Sequence, residues 1–218
     1  MIWQIGEFFC PHSCLCCGKT GGILCECCEK YIMDGKNVGC LKCGNALEDG
    51  VCKICALPFK QQFCLGFREG LLKDLVSLFK YRGVRAGGIE LARLFKLKFG
   101  ELDDDLVIVP LPTIRKHIRE RGFDHTYKLA RWLTKLCGGH VERHTLVRVN
   151  NTVQVGANEA ERIRQAQTAY RAYGVNLRKK YILLDDVWTT GSSMLSACME
   201  MQKAGAKNIS VIVLTKSG

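Results

Sequence analysis

The 218-residue chain contains no run of about 18 or more apolar residues, so no membrane-spanning helix is expected. Its opening residues, MIWQIGEFFCPHSC, carry no basic segment, and Glu7 interrupts their apolar character. They do not read as a secretory signal, and a cytoplasmic location is expected. Ile2, Trp3, Ile5, Phe8 and Phe9 instead suit one face of a short terminal helix packed on the body. Arginine is absent from residues 1–64, where six lysines balance six acids. Cysteine is scarce in the remainder: twelve of the fourteen lie in the first 64 residues, and only Cys137 and Cys198 lie beyond. Without a secretion signal, Cys-x-x-Cys pairs point to metal in a reducing compartment rather than to disulfides. Apolar residues are not scarce; at 47% they exclude a disordered chain and allow a real core.

The formal charge of +11 is lopsided, because the first 64 residues contribute nothing to it. Between Thr113 and Lys180, fifteen basic residues face five acids, a net of +10. Such a segment is a candidate surface for phosphates or nucleic acid. Phe123, Tyr127, Trp132, Tyr170 and Tyr173 are interleaved with the charges, and aromatic stacking beside cations suits single strands. Aromatics at helical spacing more often belong to a core, so exposure decides between the two.

Two passages of the head resemble each other: CLCCGKTGGILCECC from Cys14 and CLKCGNALEDGVCKIC from Cys40. Each reads Cys-Leu-x-Cys-Gly, a short loop, then Cys-x-x-Cys, an internal repeat of a metal half-site. Zinc takes four tetrahedral ligands and thiolates suit it. Cys14, Cys17, Cys25 and Cys28 form the simplest first set, and Cys40, Cys43, Cys52 and Cys55 the second. A cross-braced pairing and a single occupied site also satisfy the spacing. All-sulfur ligation implies a structural site, able to supply on the order of 10 kcal/mol of folding free energy. Cys10, Cys16, Cys27 and Cys64 are left over and are expected to be buried small residues. Residues 1–64 thus read as a small zinc-binding domain and 65–218 as the main one.

In the body, REGLLKDLVSLFKYRG places Leu71, Leu72, Leu75, Leu78 and Phe79 on one helical stripe closed by Gly83. GIELARLFKLKFG does the same with Ile89, Ala92, Phe95 and Phe99 before Gly100. LVIVP at 106–110, TLVRV at 145–149, YILL at 181–184 and NISVIVLT at 208–215 read as strands. HTYKLARWLTKLCGG and GSSMLSACMEMQKAG read as helices; Asn158 with Glu161 suits a helix start, and an ordered arm or a mobile loop fits that segment equally. Strands alternating with helices predict an α/β fold with a parallel sheet, whose ligands collect beyond the carboxyl ends of strands. Three such ends are expected, at 110–112, after Val149, and at Asp185-Asp186.

The third end carries the most chemistry. In ILLDDVWTTGSS, a buried strand ends in two acids and runs into a loop of small hydroxyl residues that opens a helix. The free amides and dipole of a helix start favour a phosphate. Thr189, Thr190, Ser192 and Ser193 add donors, and Gly191 allows close backbone approach. Asp185 and Asp186 call for another part of the same molecule, and neighbouring ribose hydroxyls donate to carboxylates. A ribose 5-phosphate unit satisfies the constellation, and magnesium on a diphosphate offsets the acid charge.

Those residues resemble the phosphoribosyl-diphosphate (PRPP) binding motif of type I phosphoribosyltransferases. FREGLLKDLVSLFKYRG, VPLPTIRKHIRERGFDHTYKLA, LVRVNNTVQVGANEAERIRQAQTAY and the cysteine-rich head together resemble the ComF family over nearly the whole chain. The resemblance implies a type I phosphoribosyltransferase-like domain behind a zinc-binding head, and a part in natural transformation. It implies PRPP with magnesium as ligand, and single-stranded DNA and competence proteins such as the ComFA helicase and DprA as partners. It makes Asp185 and Asp186 the candidate catalytic pair, with Val187, Thr189, Thr190, Gly191, Ser192 and Ser193 completing the PRPP motif. Arg121 and Arg115 are the expected anion contacts beside the leaving diphosphate. Two departures stand out: Asp124-His125 replaces the usual Asn-Gln, and Gln165 replaces an Asn. No acceptor pocket is readable, so a ligand sensor and a DNA-binding or scaffold module stay open beside a transferase.

Overall fold

The computed structural model describes residues 13–149 and 169–218. The expected terminal helix, Cys10, the Asn158 helix start and Gln165 lie outside the described residues. Five parallel strands form the central sheet: β1 (Gln62–Phe67), β2 (Leu106–Pro110), β3 (His140–Val141), and two longer strands at Lys180–Trp188 and Asn208–Lys216. Two short strands, β4 (Leu146–Arg148) and β5 (Tyr170–Ala172), precede the long ones, which are therefore β6 and β7. The sheet order is β1-β7-β6-β2-β3. The α/β reading with a parallel sheet is borne out.

The continuous apolar runs reflect burial on both faces. Successive side chains alternate, so Ile108, Ile182, Leu184, Ile212 and Leu214 turn to one face. Val107, Val109, Tyr181, Leu183, Val211 and Val213 turn to the other. The first face is covered by α2 (Gly70–Arg82), α3 (Arg85–Phe99) and α5 (His125–Cys137). The second is covered by α6 (Ser192–Lys203) and by β4 and β5. Leu75, Leu91, Phe95, Leu129 and Leu133 are fully buried, and each contributes about 1.5–3 kcal/mol of transfer free energy.

The helices differ from expectation in which residues they bury. In α2, Val76 is buried while Leu71 and Leu78 are only half-buried. In α3 the buried set is Gly87, Gly88, Leu91, Ala92, Leu94 and Phe95, and Ile89 is half-buried. The cause is Gly88: a Cβ there would enter the Trp132 ring and come within 2.8 Å of Phe79. The two glycines let α3 lie close to its neighbours, and that contact rotates the helix from its apolar stripe.

Strand β4 is real but pairs antiparallel with β5 in a separate two-stranded sheet. The end near Val149 is therefore not a carboxyl end of the parallel sheet. Strands β1, β3 and β5 and the helices α1 (Glu26–Met33) and α4 (Arg115–Arg121) are further elements. None has a strong local pattern; β1, QFCLGF, is held by β7, the last strand of the chain.

The cysteine-rich head straddles the β1 end of the sheet. Cys14, Leu24, Cys28 and Ile32 join the core of the first face, whereas Val38, Leu41 and Phe59 join that of the second. Leu41 N donates to Gln62 Oε1 at 2.9 Å, Lys216 Nζ to the Cys40 carbonyl at 3.2 Å, and Arg93 pairs with Glu29. Among the described residues no helix is long and apolar enough to cross a membrane.

Candidate functional site

Strand β2 ends at Pro110, opposite Leu184 of β6. Beyond that point β6 continues beside β7, with Asp185 opposite Val213, but has lost its other neighbour. The gap is a cleft of about 370 Å³ that Asp185, Asp186, Val187, Thr189 and Ser193 line from β6 and the following loop. Arg68, Lys80, Tyr81, Thr113, His117, Arg121, His125, Arg148 and Tyr170 line it from elsewhere.

Strand alternation gives the two acids different surroundings. Asp186 turns to the face covered by α2 and α5 and is 4% exposed. Its Oδ2 lies 2.5 Å from Lys80 Nζ and 3.4 Å from His125 Nε2. Asp185 is half-buried, and its Oδ1 accepts from Asp186 N at 2.9 Å. Burial and the adjacent Asp186 carboxylate push Asp185 up to about 8. Burial alone would raise Asp186 too, but the His125 hydrogen bond and the Lys80 ammonium outweigh it and hold that carboxyl well below the usual range. At neutral pH, then, one acid is mostly protonated and the other is neutralised from within. With Arg68, Arg121 and Arg148 on the walls, the cleft can receive an anion despite its acids.

The loop after β6 exposes Thr189, Thr190 and Ser193, and Thr190 Oγ1 lies 2.8 Å from Ser192 Oγ. Gly191 has a structural task beside the close ligand approach expected of it. It is buried, sits at φ 76°, and any Cβ would enter the Trp188 ring. The glycine fixes the turn that starts α6. Arg121 lines the cleft, its Nη1 lying 3.2 Å from His125 Nδ1 and its guanidinium 5.3 Å from the Tyr81 ring centroid. Arg115 is exposed and lines a neighbouring cleft of about 400 Å³ with Asp124, Arg143 and His144. The two arginines are thus separated, and only Arg121 joins the acids.

In the head, the thiol sulfurs of Cys14, Cys17, Cys25 and Cys28 lie within 4.8 Å of one another, as do those of Cys40, Cys43, Cys52 and Cys55. The pairing is sequential, not cross-braced. Both first knuckles fold alike: Gly18 N donates to Cys14 O at 2.8 Å and Gly44 N to Cys40 O at 2.9 Å, with φ of 71° and 77°. Tetrahedral ligation at about 2.3 Å sets sulfurs about 3.8 Å apart. Cys43 and Cys52 sulfurs are 3.8 Å apart and those of Cys17 and Cys25 3.5 Å. The donor set and its spacing fit structural zinc in both clusters. Cys16 and Cys27 are exposed, against expectation, because the ligands themselves fill the small interior.

No family profile matches the chain. It is 27% identical over 199 residues to Competence protein ComFC of Bacillus subtilis (strain 168), covering 82% of this chain and 78% of that protein. It is 22% identical over 230 residues to Competence protein ComFC of Streptococcus pneumoniae (strain ATCC BAA-255 / R6), covering 94% of this chain and all of that protein. The chain is thus similar to two ComFC proteins over most of its length.

Against the ComF pattern, the departure at 124–125 falls beside the site. Asp124 caps α5 by accepting from Tyr127 N and binds the Thr113 hydroxyl at 3.1 Å, while His125 meets Asp186. Lys80, Arg68 and Tyr81 are site residues that the sequence does not mark, and it marks Tyr170 only as an aromatic among cations. Lys80 ends an amphipathic helix and Arg68 follows an unrecognised strand, so no local signal marks them. Of the interleaved aromatics, Tyr170 is buried, Phe123 and Trp132 stack on Phe79, and the Arg143 guanidinium lies 4.7 Å from the Tyr127 ring centroid. Tyr173 is 58% exposed.

Proposed function

We propose that the chain is a PRPP-binding, phosphoribosyltransferase-like protein of natural competence that acts on internalised single-stranded DNA in the cytoplasm. One observation carries the ligand: an acid pair at the carboxyl end of β6 and the hydroxyl-rich start of α6 share a cleft whose other walls are cationic. The competence context comes from the ComFC homologues. In this reading the phosphate lies on Thr189, Thr190, Ser192 and Ser193 at the α6 amides. Asp185 and Asp186 take the ribose hydroxyls, and Arg121 meets the diphosphate. Arg115, in the adjoining cleft, contacts anion that extends beyond it. Once it gives up its proton, the Asp185 carboxyl with ligand phosphates and water would give an oxygen donor set that suits magnesium, which would offset charge on the leaving diphosphate. The division at residue 64 is then one of labour, with zinc-stabilised support in the head and ligand chemistry in the body.

Calorimetric titration of the zinc-loaded protein with PRPP and magnesium tests this. Saturable binding is expected in the wild type and none in the Asp185→Asn/Asp186→Asn variant, with folding checked by circular dichroism. A folded wild type that fails to bind would sink the reading.

Exposed Tyr173 and the exposed cations of α4, Arg115, Lys116 and Arg119, favour a second role in holding the DNA. Competence proteins such as the ComFA helicase and DprA are the proposed partners there.

A further inference from the structure

Four side chains from four elements stand within ion-pair or hydrogen-bond reach of one another in series beneath the cleft. Lys80 from α2 meets Asp186 of β6 at 2.5 Å, Asp186 meets His125 Nε2 at the start of α5 at 3.4 Å, and His125 Nδ1 meets Arg121 Nη1 at the end of α4 at 3.2 Å. A guanidinium has donors only. His125 Nδ1 must therefore accept, and the ring proton belongs on Nε2, toward the carboxylate. This is the arrangement in which the partner of one imidazole nitrogen fixes the role of the other. The ring is held in place: His125 is 4% exposed, and Phe79 lies edge-on with centroids 6.5 Å apart.

We propose that His125 is a positioning residue that couples Asp186 to Arg121, fixing the guanidinium in the ligand cleft. Beside its place in the cleft lining, Asp186 then acts from below, through His125, while Asp185 turns to the opposite face of β6. Tyr81 completes the support, its ring lying beneath the guanidinium. A flexible arginine would lose side-chain freedom on meeting an anion, and this one has lost much of it beforehand. Histidine is not unique in the task. A carboxamide also offers one donor and one acceptor, so Gln at 125 can bridge the same two partners, whereas Leu cannot.

The binding arm of the test rests on the PRPP reading; the spectroscopic arm does not. Long-range 1H–15N correlation on 15N-histidine-labelled, zinc-loaded full chain at pH 7.5 should show His125 as the Nε2–H tautomer, assigned by its loss in His125→Gln. A protonated Nδ1, in the other tautomer or in imidazolium, would overturn the proposal whatever the protein binds. With PRPP and magnesium, His125→Leu and Arg121→Met should each weaken binding about 10-fold. The double variant should be no weaker than either alone, because the two act as one unit. His125→Gln should return affinity to within about 3-fold of wild type. Additive losses, or no rescue by Gln in a folded protein, would refute the coupling. If wild type binds no PRPP, the functional reading fails and the tautomer alone decides the relay.

Discussion

Neighbours in sequence, Asp185 and Asp186 differ in chemistry because a strand turns them to opposite faces. For Asp185 the folded value is raised, so folding favours the protonated form. Its contribution is fully present below the unfolded value near 4 and is lost as pH rises toward 8. Asp185→Asn should therefore stabilise the protein in alkali, by about 1–2 kcal/mol at pH 8.5 after allowing for water in the cleft. The gain should shrink to nearly nothing at pH 4.5, as read from thermal melts across that range. For Asp186 the folded value is lowered, so its contribution is present above the unfolded value and fades as pH falls below about 4. Lys80→Met leaves that buried carboxylate with His125 alone and should cost about 3 kcal/mol at pH 7. A urea midpoint unchanged from wild type would show that the pair is solvated in solution.

Among the elements, close approaches set the geometry of the site. Gly191 starts α6 in a left-handed conformation directly against Trp188. Gly191→Ala must strain the turn and displace the indole, so a loss of about 1–3 kcal/mol and a shifted tryptophan emission are expected. If phosphate binds at the α6 amides, the same change should weaken PRPP binding more than Ser193→Ala does, since it misplaces all the donors together. Gly88 plays the same part for α3 against Trp132, and Gly88→Ala should destabilise by displacing Trp132 and Phe79.

On the scale of the whole molecule, the head is part of the core on both faces of the sheet. Two zinc ions per chain are expected by elemental analysis, falling to one in Cys43→Ser. Because each cluster supports a different face, chelation should unfold the body along with the head in one transition. A body that keeps its melting point after chelation would contradict that coupling. The charge of +11 lies outside the head, so single-stranded DNA affinity should fall steeply with salt. Arg115→Ala/Arg119→Ala should reduce that slope by about 2, as measured by fluorescence anisotropy.

The repeat of Cys-Leu-x-Cys-Gly and Cys-x-x-Cys marked all eight candidate ligands, since knuckle geometry is local, but only the fold decided that they group sequentially rather than cross-braced. Apolar runs determined β2, β6 and β7, and the order of strand, acids, loop and helix placed the cleft, because burial and capping leave local marks. Which acid faces a ligand was not legible at 185–186, as it depends on the helices above each face of the sheet. Lys80, Arg68 and Tyr81 could not be read either: they reach the cleft only after α2 packs down and β1 pairs with a strand some 150 residues away. The partnership of Arg121, His125 and Asp186 joins three elements, and no local pattern announces it. Local sequence determined the ligands and the loop, and tertiary packing decided which charges face them, because electrostatic partners are set by distance in space rather than along the chain.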